Sequence, residues 1–598
     1  MHGWYRLSFL TALLTSVSFS QYLDSRLLIT PPKREFRGAW IATVDRLDWP
    51  PSDPASQRNA LTAILSTLSN YNFNAAVFQV RARGNAFYNS SYEPWAAELT
   101  DTLGKAPSYD PLQYAIDEAR RLGLELHAWF NFAIVWNGTT APTSVGKTHI
   151  ASIHPEWVKT YNNQLWLDPG IPAVRDWLRM VALDLVRRYD IDAIHFDYIR
   201  IPDANFPDDD SFMQYGIPAG YSDKSRWRRE NIDAFMRSFY DSAQIIRPRM
   251  KVGSAPIGIY SPIPGATSTF YGLAVGQDAR KWMQEGKHDY VMPQIYWNIG
   301  EQTNDPDFFA LAVDWQNGSF GRHVYPGLAA YQMSSQSGSR NYPVSDIMAM
   351  IDATRSIGSL GNVFFRYQSL RLKNFLDSLV NTRYSTVALL PLMPWKDNTP
   401  PNRPDSLRVI QFSNSFLFFW VDPAPASDGD TPVEYLVYRS TSFPVDISDM
   451  RNVVQKGTTK FYGNAYPETG IHVYTVTALD RNHNESERSS TVIVSSTGNV
   501  LVGVQWPVTA PLAFDLQQNY PNPFNSSTVI QFTMPYETQA VLKVYDLLGR
   551  EVAVLVDRVL GAGVHQASFD AQSLPSGLYI YRLVAGGQVV AKKMQLVK

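Results

Sequence analysis

The sequence predicts a multidomain chain: a (β/α)8 barrel of the TIM type, followed by two β-sandwich domains. Three observations carry this. Between about residues 33 and 397, short β-forming apolar runs alternate eight times with segments of helical spacing. The ends of those runs carry amides, guanidinium groups and Trp at nearly every position. Past Pro400 the helical spacing gives way to short alternating runs with turns between. A chain of 598 residues also exceeds what one core can organise.

The barrel elements follow in order. Strands are predicted at 36–44, 75–80, 124–131, 193–196, 251–259, 290–297, 324–331 and 361–368. Each is followed by a helix, at 57–68, 112–122, 172–189, 229–246, 279–285, 308–315, 345–357 and 372–379. Leu61, Ile64, Leu65 and Leu68 set the apolar face of the first helix, and Pro172 starts the third. A doubly wound open sheet is the alternative, but no Gly-rich phosphate loop follows the first strand. Two long insertions, 83–109 and 202–228, are expected to wall a groove on one side of the barrel. Asn398-Thr-Pro-Pro-Asn-Arg-Pro404 reads as a linker into a sandwich over 402–500. A second break near Trp506 leads to a C-terminal unit over 512–598.

Composition narrows the function classes. Hydrophobic residues at 45% and charged ones at 18% are globular proportions. A net charge of -2 supplies no basic face for nucleic acid or an anionic membrane. The absence of Cys excludes disulfides, thiolate nucleophiles and Cys-based metal centres. With 10 His and no His-Glu-x-x-His pattern, no zinc site is expected, and no cofactor is implied. Sixteen Trp, 32 Tyr and 30 Phe suit a core, and also the stacking surfaces that sugar rings prefer. Arg6, the apolar run 7–17 and the small residues Ser18 and Ser20 read as a signal peptide over 1–20, too short to span a bilayer permanently. The mature chain is therefore expected to be exported, with no transmembrane span.

The central stretch is Asp192-Ala-Ile-His-Phe-Asp-Tyr-Ile-Arg-Ile-Pro202. A buried strand that ends in Asp197, Tyr198 and Arg200 must face a cavity or find partners for them. The other strand ends offer Gln79 and Arg81, Trp129 and Asn131, Gln294 with Tyr296 and Trp297, Tyr331, and Arg366 with Gln368. A cavity that grips hydroxyls and stacks on rings needs such a set. Asp197 is the expected catalytic carboxylate. Glu93, in the first wall loop beside Trp95, and Glu230, at the start of a helix, are candidates for a second catalytic group. Asp45 and Asp168 are further acids, and Asp168-Pro-Gly170 reads as a turn closed by its own carboxylate. Arg81, Asn131, Arg200 and Gln294 are expected to hydrogen-bond to substrate hydroxyl or acetamido groups, and Trp129, Tyr296 and Trp297 to stack under its sugars. Gln79, His195, Tyr198 and Tyr331 are expected to take part in substrate binding.

Ordered phrases in the barrel carry a resemblance. Arg37-Gly-Ala-Trp40, Asp48-Trp-Pro50, Gln79-Val-Arg81, Glu93-Pro-Trp95 and His127-Ala-Trp-Phe-Asn131 are followed by Leu167-Asp-Pro-Gly170, His195-Phe-Asp-Tyr198, Trp227-Arg-Arg229 and Pro293-Gln-Ile-Tyr-Trp297. Together they resemble the glycosyl hydrolase-like family 10 barrels. The resemblance implies a glycoside hydrolase whose polysaccharide substrate is the glycan strand of peptidoglycan, or a related N-acetylated glycan. A barrel that only binds carbohydrate, or serves as a surface scaffold, is the alternative. The fourth strand is also similar to that of family-18 chitinases, but the acidic residue they carry two positions after the Asp is Ile199 here. Trp420, Tyr435 and Tyr474 are placed as in a fibronectin type III module. Asn519-Tyr-Pro-Asn-Pro-Phe-Asn525, with the strands after it, resembles the C-terminal sorting domain of the type IX (Por) secretion system. That implies the type IX machinery as a partner, and release from the cell or attachment to its outer surface.

Overall fold

The computed structural model describes residues 31–300, 305–498, 500–504, 514–534, 538–561 and 563–598; the expected signal peptide lies outside them. Eight parallel strand positions form the barrel. They are β1 (Phe36–Ile41), β2 (Ala75–Arg81), β3 (Glu125–Asn131), β4 (Ala193–Asp197), β5 (Lys251–Ser254), β6 (Tyr290–Val291), β7 in two pieces (His323–Val324 and Gly327–Leu328) and β8 (Gly361–Phe364). The first piece of β7 pairs with β6 and the second with β8, which pairs in turn with β1. The sheet therefore closes on itself.

The expected strands at 251–259, 290–297 and 324–331 are shorter than their apolar runs. Each meets a proline (Pro256, Pro293, Pro326) that removes a ladder donor. The chains stay side by side beyond those breaks, through single bridges joining Ile257, Gln294 and Gly327. Eight helices alternate with the strands: α1 (Gln57–Asn70), α2 (Pro111–Arg121), α3 (Pro172–Arg188), α4 (Lys224–Ile246), α5 (Ala279–Gln284), α6 (Phe308–Asn317), α7 (Val344–Ser356) and α8 (Phe375–Val380). Their starts are chemically marked. Asp110 accepts from Leu112 N and Gln113 N ahead of Pro111, and Asp307 does the same for α6. The face of α1 predicted to be apolar is buried.

Packing inside the barrel alternates small and large. Ala75, Ala193 and Ala255 sit among Phe36, Trp40, Trp129, Tyr290 and Tyr325. Gly253 on β5 has no choice of residue: a Cβ there would lie 2.3 Å from the Tyr290 ring. A three-stranded antiparallel sheet (Ile134–Asn137, Val158–Tyr161, Gln164–Leu167) stands between β3 and α3, where the sequence reading placed no element.

The first sandwich packs a three-stranded sheet (Asp405–Gln411, Ser415–Val421, Phe461–Ala465) on a five-stranded one (Val453–Gly457, Glu434–Ser440, Ile471–Leu479, Thr491–Ser495, Val500–Val504). Trp420, Tyr435 and Tyr474 lie in the core between them. It is fastened to the amino-terminal side of the barrel. Arg481 pairs with Asp190 at 2.6 Å, His483 Nε2 lies 3.1 Å from Glu125, and Lys456 donates to Gly123 O at 2.9 Å. The C-terminal unit is a second antiparallel sandwich with its own core around Phe532, Leu542 and Tyr581. No helix among the described residues is long and apolar enough to cross a membrane.

Candidate functional site

A cleft of about 450 Å³ opens at the carboxyl ends of the strands, and Asp197, the last residue of β4, lines it. Asp197 is 8% exposed. Its Oδ1 accepts from Tyr198 N at 2.7 Å and Gln294 Nε2 at 3.1 Å. The Tyr198 backbone makes the first bond possible by adopting φ 50°. Burial pushes the Asp197 carboxyl up to about 6, against the pull of the Tyr198 N–H, Arg200 and Gln294. Among the described residues, no other carboxylate lines this cleft.

The floor and walls are aromatic and polar. Trp40 and Trp129 rise from β1 and β3, and Tyr296, Trp297 and Phe365 follow β6 and β8. Asn131 accepts from Trp129 Nε1 at 2.8 Å and donates to Ala82 O at 3.0 Å, so it fixes the indole. Gln79 Oε1 accepts from Thr43 N and Val44 N and so holds the loop after β1, while the residue itself still borders the cleft. Arg200 donates Nη1 to Ile201 O and Pro202 O and lies over the rings of Tyr198 and Phe270. Tyr331 stands behind the lining, edge-on to Tyr296 at 5.8 Å.

Several expected participants are elsewhere. Glu93 is fully buried and accepts from Arg81 with both oxygens, at 2.7–3.0 Å. Arg81 also donates to the carbonyls of Asn131 and Phe132. The pair locks the second strand to its following loop; neither residue lines the cleft, because an isolated charge at that depth is sustained only by its partner. Glu230 lies on the outside of the barrel, 3.0 Å from Lys281 on α5. Asp168 accepts from Gly170 N at 2.8 Å and from Ser211 Oγ, closing the turn as its sequence suggested; burial raises it to about 6 without placing it in the cleft. Asp45 forms a two-pronged pair with Arg83, whose own side borders the cleft.

The walls also differ from expectation. The 202–228 insertion contributes no lining residue, and the 83–109 insertion contributes only Arg83. Ile134 and Gln164 of the small antiparallel sheet, and Ile257, Ser268 and Phe270 of the loop after β5, take their place. The signal for the small sheet was present: Asn162 and Asn163, both at positive φ, make a tight hairpin turn between two alternating runs.

His195 does not reach the cleft. It lies beneath Trp40, whose Nε1 is 3.3 Å from its Nε2. Tyr290 OH stands 3.3 Å from His195 Nδ1 and 2.9 Å from His127 Nδ1, and His127 Nε2 is 2.9 Å from Glu125. Glu125 in turn meets Lys251 and His483. A polar chain thus runs down the barrel axis from the cleft floor to the sandwich. Burial, with His127 and His288 nearby, holds the His195 imidazole well below its usual range and keeps it neutral.

Fold and site define a (β/α)8-barrel protein with an aromatic-lined cleft built around the buried carboxylate of Asp197. The family model described as glycosyl hydrolase-like 10 matches residues 35–343, and the model of a secretion system C-terminal sorting domain matches 518–597. The chain is 34% identical over 479 residues to the glycosyl hydrolase YngK of Bacillus subtilis (strain 168), covering 76% of this chain and 92% of that one. It is 30% identical over 386 residues to the glycosyl hydrolase DigH of Escherichia coli (strain K12), covering 57% and 87%. Among solved structures it is similar to the β-amylase catalytic domain of Paenibacillus polymyxa, at 11% identity and a TM-score of 0.40, over 60% of this chain and 99% of that one. The chain belongs to the glycosyl hydrolase-like 10 family, and its sorting tail marks it for export to the cell surface or beyond.

Proposed function

We propose that the protein is an endo-acting glycoside hydrolase that cleaves peptidoglycan glycan strands, or a related N-acetylated glycan, with help from the substrate's own acetamido group. The observation that carries this is that, among the described residues, Asp197 alone brings a carboxylate to the aromatic walls. Glycosidic cleavage generally needs two groups, an acid and a nucleophile or base. With Asp197 as the one carboxylate that the described residues bring to the cleft, the acetamido oxygen supplies the second. It attacks the anomeric carbon as the glycosidic C–O bond breaks, and Asp197 gives its proton to the leaving oxygen. Water then opens the cyclic intermediate and returns a proton to Asp197. A carboxyl at about 6 suits both halves of that exchange. Trp129, Tyr296 and Trp297 would stack on the sugars. Gln294 would orient Asp197, and Arg200 would attract an anionic substituent. The first sandwich would act as a fibronectin type III-like companion.

Mass analysis of digests of peptidoglycan, of glycan strands freed of peptide and of a polysaccharide panel tests the reading. Asp197→Asn is expected to lower the cleavage rate about 10²–10⁴-fold while leaving binding in place. Equal cleavage of an N-acetylated oligomer and its de-acetylated counterpart would exclude the substrate-assisted route. The absence of a second carboxylate among the described lining residues also suits a barrel that binds glycan without cutting it. Binding with no product from any substrate would favour that reading.

A further inference from the structure

The barrel and first sandwich meet along a second cleft, of about 740 Å³, far from the mouth of the barrel. Three carboxylates converge there from both domains: Asp397 at the end of the barrel, and Asp428 and Asp430 in a tight turn of the sandwich. One ligand oxygen from each lies within 4.8 Å of the others. Oxygens that share one calcium ion at about 2.3–2.6 Å can be no more than about 5 Å apart, so a single ion fits among them.

Asp397 supplies an independent sign. Its side chain is only 5% exposed. Oδ1 accepts from Thr399 N at 2.9 Å, but Oδ2 is buried with no hydrogen-bond donor. Asp430 Oδ2 is left in the same condition. Buried acceptors without donors are expensive and rare.

The cation facing all three is Arg249. Its Nη1 is 2.5 Å from Asp430, its Nη2 3.3 Å from Asp428 and its Nε 3.8 Å from Asp397 Oδ2. One positive charge cannot balance three negative ones. The other cations that border this cleft are held elsewhere: Arg247 and Arg481 on Asp190, and Lys396 on Asp289. Asp480 stands nearby, its oxygens occupied by the amides of Asn482 and Asn484, and adds a further negative charge. Burial, with Asp428, Asp397 and Asp480 beside it, raises the Asp430 carboxyl despite Arg249. Arg249 is 36% exposed.

We propose that Asp397, Asp428 and Asp430 bind a hard divalent cation, of which calcium is the best fit, and that the ion pins the sandwich to the barrel. Carboxylate oxygens with water completing the shell are the donor set such an ion prefers. The site is independent of the cleavage chemistry.

Full-length protein treated with EDTA and titrated calorimetrically with CaCl2 is expected to take up one ion per chain. Its unfolding temperature should rise as calcium approaches the roughly millimolar range of extracellular sites. Asp428→Asn, at a solvent-exposed position, should weaken uptake about tenfold or more, and Asp210→Asn, an exposed carboxylate elsewhere on the barrel, should leave it unchanged. Absence of both heat and a thermal shift would overturn the proposal. So would uptake that remains at the parent's level in both Asp428→Asn and Asp397→Asn.

Discussion

At the residue scale, the burial of Asp197 makes stability depend on pH. Its carboxyl lies at about 6 in the folded chain against about 3.9 when unfolded, so the native state binds the extra proton. The stability this contributes is fully present below about pH 4 and is lost as pH rises through about 6, a swing of about 3 kcal/mol. Asp197→Asn should remove that slope. In urea unfolding followed across pH, the variant is expected to exceed the parent at pH 8 and to match it near pH 4. Glu93 and Glu230 should behave in opposite ways. Glu93→Ala leaves Arg81 buried without its partner and should cost about 3–5 kcal/mol. Glu230→Ala on the barrel exterior should cost at most about 1 kcal/mol and leave cleavage unchanged. Thermal unfolding and a cleavage assay on the same samples separate the two. The sequence made Asp197 legible because a charge ending a buried strand has few fates. It could not distinguish Glu93 from a catalytic acid, since a buried pair and an active site draw on the same residue types. Only the aim of Arg81 decides.

At the scale of elements, the eight alternations were readable because strand and helix periods differ so clearly, and the named helices fall within a few residues of expectation. The lengths of β5, β6 and β7 were not, because apolar runs continue past the prolines that end the ladders. The end of the 202–228 insertion, expected to wall the groove, is a packing unit. Trp227 lies so close over Gly170 that a Cβ there would be 2.3 Å from the indole, and Arg228 pairs with Asp208. The interior of β5 makes a comparable demand. Gly253→Ala must displace the Tyr290 ring and should cost about 1–3 kcal/mol, measured as a lower midpoint in denaturant. Because Tyr290 touches His195 under the cleft, a change in KM for glycan should accompany the lost stability.

At the scale of the whole molecule, the two sandwiches stand in different relations to the barrel. The sorting domain is held together internally, by hydrogen bonds of Gln518 to Lys593 O, Asn519 N to Tyr581 and Gln595 N to Asn522, and by the ion pairs Lys543–Glu551 and Arg550–Asp546. Removing residues 512–598 should therefore leave cleavage and the unfolding of the barrel unchanged while abolishing export, as measured by activity in culture supernatant and on washed cells. The first sandwich instead sets His483 on Glu125, at the foot of the polar chain beneath Trp40. Swapping that module between relatives would thus do more than change reach or adhesion. Its imidazole is a supporting stone under the cleft, and a barrel parted from it would keep its walls over a loosened floor.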